Sequence, residues 1–122
     1  MPRFSQRSKD KLKSCDFRLQ AVFNKVIQII DITILEGFRG EAAQEKAFAE
    51  GKSKARWGES NHNHHPSKAV DVAPYPIDWN DIERFHRLAG IVQAVAFEEG
   101  VEIKWGGDFN NFFDGPHFEL KN

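Results

Sequence analysis

The sequence predicts an α+β domain, with a small, largely antiparallel sheet packed against about three helices. Two observations carry that class. Two stretches, one from residue 17 and one from residue 82, repeat apolar residues at helical spacing. Four shorter stretches, near residues 31–37, 68–75, 101–107 and 116–120, have the length and patterning of strands. The order is helix first, then short strands mixed with helices, and this does not repeat as regular βαβ units.

Taken in order, the run FRLQAVFNKVIQII from Phe17 places Leu19, Val22, Phe23, Val26 and Ile30 on one helical face. DITILEG then reads as a strand through β-branched Ile32, Thr33 and Ile34, ending at Gly37. EAAQEKAFAEG reads as a second, short helix closed by Gly51. From Lys52 to Ser67 periodicity is lost, and loops of that length in a compact domain are usually functional or mobile. KAVDVAPY restores alternation: Val70 and Val72 point to one side, Ala69, Asp71 and Ala73 to the other. Asp78 or Asn80 can cap the next helix, Asn80 forming a capping box with Glu83. That helix turns Ile82, Phe85, Ala89, Val92 and Ala96 inward and stops at Gly100. VEIKWGG and PHFEL supply two further strands.

A chain of 122 residues fits one domain, residues 1–122, and its 40% apolar content is that of a folded globular protein. No apolar run approaches the roughly 18–20 residues of a membrane span, and the N-terminus lacks the apolar core of a secretory signal. Cys15 cannot form an intrachain disulfide and is expected to be an ordinary thiol. Residues 1–56 carry 12 Lys and Arg against 7 Asp and Glu, whereas 57–122 carry 5 against 11. The basic half reads first as a solvated helix face and second as a surface for an anionic polymer. A cation would settle more readily in the acidic half.

The chemistry concentrates in NHNHHPSKAVDVAP, where His62, His64 and His65 precede Asp71. Asp71 projects between two small alanines, and a carboxylate leaving water there needs a cation or several donors. A hydrolytic zinc site takes three His or carboxylate ligands and leaves one position open. One histidine of the cluster and Asp71 supply two ligands. Of the later histidines, His86 lies within the long helix as a partly exposed polar residue. His117 opens the last strand on the same face as Glu119, with Asp114 three residues before it. An acid beside an activated water is what hydrolysis asks of a general base.

HNHHPSKAVDVAP followed by KWGGDFNNFFDGPHFEL resembles the zinc D-Ala-D-Ala-type peptidases. Among these it is most similar to the phage L-alanyl-D-glutamate endopeptidases, which act as endolysins. Their pattern is S-x-H-x-x-G-x-A-x-D and a distal acid-x-x-H. PIDWND, WGGDFN and Gly37-Phe38-Arg39 also resemble family segments, so the similarity runs from about Leu35 to the C-terminus. Counting back from Asp71 without a gap, the resemblance implies His64, Asp71 and His117 as ligands of Zn2+, and Asp114 as catalytic acid/base. It implies a catalytic and substrate-binding role for Arg39. It further implies a hedgehog/D,D-peptidase-like fold. Two positions depart from the pattern: His62 stands for the motif serine and Ser67 for the glycine. His62 is thereby expected at the substrate, or as a competing ligand, with His65 facing away.

The resulting expectation is a peptidoglycan stem-peptide hydrolase that cuts the L-Ala-D-Glu bond, a monomer with no nucleic-acid partner and no stable membrane association. It would be made in the host cytoplasm and reach the wall after the membrane is permeabilised. The alternatives are a D,D- or L,D-carboxypeptidase, or a non-catalytic zinc-binding domain such as the hedgehog-like ones. The letters HNH at 62–64 do not make a nuclease, whose motif is spread over a ββα unit.

Overall fold

A computed structural model of the chain describes residues 2–121. Among these residues the elements run α1 (Gln6–Lys13), α2 (Phe17–Val26), β1 (Ile32–Glu36), α3 (Glu41–Ala49), β2 (Ala69–Pro74), α4 (Ile82–Glu99), β3 (Ile103–Trp105) and β4 (His117–Leu120). The four strands form one sheet in the order β1-β2-β4-β3, every neighbouring pair antiparallel. The α+β class and the small antiparallel sheet expected from the sequence are therefore present.

The helix α1 is an addition to that expectation. Its sequence, QRSKDKLK, has one large apolar residue, Leu12, and so no apolar stripe to count. Local chemistry makes it helical. Ser5 caps it by accepting the Ser8 amide, and Lys11 and Lys13 sit in the last turn, where the helix dipole favours cations. It docks through buried Leu12 and through the buried Ser8 hydroxyl, which accepts the Ile34 amide of β1 at 3.0 Å.

α2 begins at Phe17 under the Asp16 cap and buries Leu19, Val22, Phe23 and Val26. It ends four residues earlier than the apolar pattern suggests, because the chain turns through 27–30 to enter β1. Ile30 still packs against the core while Ile29 is exposed. α4 is capped by Asp81, whose carboxylate accepts the Arg84 amide, and not by Asp78 or Asn80. This shift of the cap leaves Ile82 in the first turn and 45% exposed instead of inward. The inward face adds Leu88 and Val95, and Gly100 closes the helix at φ 71°.

α2 and α4 share one apolar cluster with the sheet residues Ile32, Ile34, Val70, Val72, Ile103, Trp105, Phe118 and Leu120. Phe23 meets Phe118 edge to face at 5.6 Å, a geometry worth about 0.5–1.5 kcal/mol beyond burial itself. Locking Val70 and Phe118 into this layer turns their neighbours Asp71 and His117 to the opposite face. The register sets those two residues directly across from each other on β2 and β4.

Candidate metal centre and active site

Because Asp71 and His117 are cross-strand partners, their side chains meet: His117 Nδ1 lies 3.2 Å from Asp71 Oδ1. The third member is His62, on the short 3-10 turn Asn61–Asn63, with Nε2 at 3.3 Å from the same oxygen. Ser60 caps that turn, accepting the His62 amide. The Arg39 amide donates to the His62 carbonyl at 2.8 Å, tying the turn to the chain beyond β1.

The outer nitrogens of both rings are fixed. His62 Nδ1 is 2.8 Å from the Gly37 carbonyl, which can only accept, so Nδ1 carries the proton. His117 Nε2 is 2.7 Å from the Glu119 carboxylate and donates to it. In the neutral rings the lone pairs of His62 Nε2 and His117 Nδ1 are thus both aimed beside Asp71. Their ligand atoms and that of Asp71 lie within 4.8 Å of one another. Two imidazoles and a carboxylate, with the imidazole N–H groups held by a carbonyl and a carboxylate, fit a transition-metal ion with an open position.

Without an ion, protons take up the same geometry. Burial alone would lower the His117 pKa, but the hydrogen bonds that its ring donates to the Asp71 and Glu119 carboxylates outweigh it and push it up to about 9. Burial would raise Asp71, yet His117 and His62 hold it well below the usual carboxylate range.

His64 does not join this cluster. It is exposed and lies outside the group, although ungapped counting from Asp71 put it among the ligands. His62, expected at the substrate, takes its place nine residues before Asp71. The signal that identifies it is Ser60-Asn61-His62, the S-x-H of the family pattern, followed by two extra residues. His65 stacks on Phe38 with centroids 4.6 Å apart. Ser67, standing where the pattern has glycine, is buried; its hydroxyl bonds Ala69, and its main chain pairs with Ser14 and Asp16.

Asp114 starts the turn into β4. Its amide donates to Gly106 O at 3.1 Å, and its carbonyl accepts the His117 amide at 3.2 Å. Gly106 must be glycine, since a Cβ there would collide with the Asp114 carbonyl. The Asp114 carboxylate has no hydrogen-bond partner among the described residues and lines the cleft with His62, Asp71 and His117. Burial, and next the charge of Asp71, raises its pKa, which suits a group that must accept a proton.

Arg39 reaches the same cleft but is heavily engaged. Its Nη1 donates to Gln44 Oε1 at 2.9 Å, Nε is 3.6 Å from Glu36, and Nη2 is 3.9 Å from Asp71 Oδ2. Gln44, fully buried, is a hub that sequence reasoning does not single out. It accepts from Arg39 and Asn63 and donates to Ser53 Oγ and Ala55 O. The cleft, about 780 Å³, lies between the 51–62 loop and the 109–114 segment.

The family model for phage L-alanyl-D-glutamate peptidase matches residues 1–121. The chain is 29% identical to the L-alanyl-D-glutamate peptidase of Escherichia phage T5, over 97% of each. It is 33% identical to the peptidoglycan L-alanyl-D-glutamate endopeptidase CwlK of Bacillus subtilis, over 75% of this chain and 61% of that protein. The crystal structure of the Serratia marcescens L-Ala D-Glu endopeptidase ChiX superposes with a TM-score of 0.84. That match has 28% identity and covers 97% of this chain and 89% of the other.

Proposed function

This chain belongs to the phage L-alanyl-D-glutamate peptidase family, and we propose that it hydrolyses the L-Ala-D-Glu bond of peptidoglycan stem peptides as a zinc lysin. The observation that carries the reading is the pair of imidazole lone pairs converging beside Asp71, with the unpartnered Asp114 carboxylate on the same cleft. His62, Asp71 and His117 would hold the zinc. When bound, zinc supplies the positive charge that acidifies a water and polarises a carbonyl.

The remaining work falls to the chain. Asp114 accepts the proton of the attacking water and returns it to the leaving amine of D-glutamate. Its raised pKa brings it closer to the operating range for both transfers. Glu119 and the Gly37 carbonyl fix the two imidazoles so that neither ring turns. Arg39, anchored by Gln44, places its positive charge 3.9 Å from the outer oxygen of Asp71 at the wall of the cleft. A second depression of about 830 Å³, lined by Lys68, Lys104 and Lys121, shares Asn61 and Glu119 with the cleft. The substrate lies in the cell wall, and no helix among the described residues is long and apolar enough to cross a membrane.

Digestion of purified peptidoglycan followed by mass spectrometry tests the reading. New amines are expected on D-glutamate, with L-alanine left on the muramyl side; release of D-alanine alone would establish a carboxypeptidase instead. On the same preparation, Asp114→Asn should lower turnover at least about 100-fold, the usual worth of general acid-base help, while zinc content stays near wild type. Loss of zinc along with activity would make Asp114 a ligand.

A further inference from the structure

The cleft has three cations on its wall, Arg39, Lys52 and Lys54, and two of them are already engaged. Arg39 is held by Gln44, Glu36 and Asp71. Lys52 pairs with Glu50 at 3.3 Å. Lys54 has no carboxylate within 4 Å among the described residues; its ammonium rests 4.7 Å from the centre of the exposed Phe112 ring. An exposed aromatic face is a weaker partner for an ammonium than a carboxylate.

The chain on either side of Lys54 is nonetheless braced. The residues on either side of it, Ser53 and Ala55, are both bound by the Gln44 side-chain amide, at 3.0 and 2.6 Å. The carbonyl oxygen of that same amide holds Arg39. On the other wall, Phe112 packs on Phe109 at 5.3 Å, and Phe109 lies 5.5 Å from the His117 ring. Lys54 therefore lines the same cleft as His62, Asp71 and His117, on a loop braced by the residue that also holds Arg39.

A glutamate acylated on nitrogen by alanine, and extended through one of its carboxyls, keeps the other as a free carboxylate near the scissile amide. We propose that Lys54 is the specificity-determining residue of the cleft, leaving the Phe112 ring to bind that carboxylate. Stems in which the carboxylate has been converted to a carboxamide are then the poorer substrates. The inference rests on the L-Ala-D-Glu reading above and adds the chemical form of the glutamate that the enzyme selects.

The test uses zinc-loaded enzyme and two synthetic N-acetyl-L-alanyl-D-glutamyl-L-lysine peptides, linked through the γ-carboxyl. One carries the free carboxylate and the other its carboxamide. Wild type should prefer the carboxylate by about fivefold in kcat/KM, expressed mainly in KM, the weight of a partly exposed ion pair. Lys54→Met should lower the carboxylate substrate to the level of the carboxamide and leave the carboxamide unchanged, and Lys54→Arg should restore the preference. An equal loss on both peptides would make Lys54 a packing partner of Phe112 and overturn the proposal, as would a preference that survives Lys54→Met. Equal cleavage of both by wild type overturns the Lys54 subsite but leaves the reaction standing. Cleavage of neither overturns the reaction and the subsite together.

Discussion

The imidazole of His62 has one nitrogen committed to the Gly37 carbonyl and the other aimed at Asp71, whereas exposed His64 has neither anchor. A ligand needs both, because a ring free to rotate spends the binding energy of the metal on ordering itself. His62→Ala is therefore expected to lose most of its zinc, and His64→Ala to keep it, as read by elemental analysis after dialysis. Zinc retained in His62→Ala and lost in His64→Ala would return the ligand to the register counted without a gap. The meeting of Asp71 with His117 is legible in the sequence, because strand alternation fixes the face each occupies. A loop has no period, so counting through 61–68 cannot reveal two inserted residues. Only Ser60, a cap two residues before His62, marks the histidine that the fold brings beside Asp71.

At the scale of elements, the long loop between α3 and β2 is held by side chains instead of by a ladder. Arg56 forks onto Glu45 of α3, whose carboxylate also accepts the Trp57 amide; these bonds hold it down at about 2. That pair is exposed, so the weight falls on Gln44 beneath it. Gln44→Leu keeps the volume but strands the Arg39 and Asn63 donors and the Ala55 acceptor. With buried unpaired groups at about 1–3 kcal/mol each and non-additive, the variant should lose about 2–3 kcal/mol in urea unfolding and much of its lytic rate. An unchanged midpoint would mean that Glu45 and Arg56 hold the loop unaided. None of this is visible in EAAQEKAFAEG, where Gln44 reads as one more polar residue of a short surface helix. The same limit hides α1, a charged segment whose helicity comes from a Ser5 cap and a buried serine. Elements with an apolar stripe, α2 and α4, are legible, and the errors there fall at their ends, where caps compete.

For the molecule as a whole, the sheet order β1-β2-β4-β3 comes from pairing across long separations, which composition and periodicity do not encode. Cys15 is one of the residues that join the N-terminal helices to that sheet. Cys15 is almost fully buried between α1 and α2, with Sγ 3.7 Å from Lys11 O and 3.9 Å from Ala69 O of β2. Burial pushes its thiol up from 9.0 to about 12, the charge of Asp71 adding to this and a hydrogen bond with Ser14 opposing it. Below pH 9 the thiol is protonated in both the folded and unfolded chains and contributes no slope. Between pH 9 and 12 the unfolded chain releases a proton that the native state keeps, so stability falls as pH rises. The slope approaches about 1.4 kcal/mol per pH unit and vanishes again above the folded pKa. Other groups titrate in this range, so the measurement is a comparison: urea unfolding of wild type and Cys15→Ala at intervals from pH 8 to 11. The variant starts lower because it leaves a small cavity, but its curve should be flatter, and the two should converge as pH rises. Parallel curves would mean that the thiol reaches solvent in the native protein, through local opening of α1 and α2 from the sheet. A thiol reagent at pH 8 separates these outcomes, reacting with the native protein only if the N-terminal helices open before the rest.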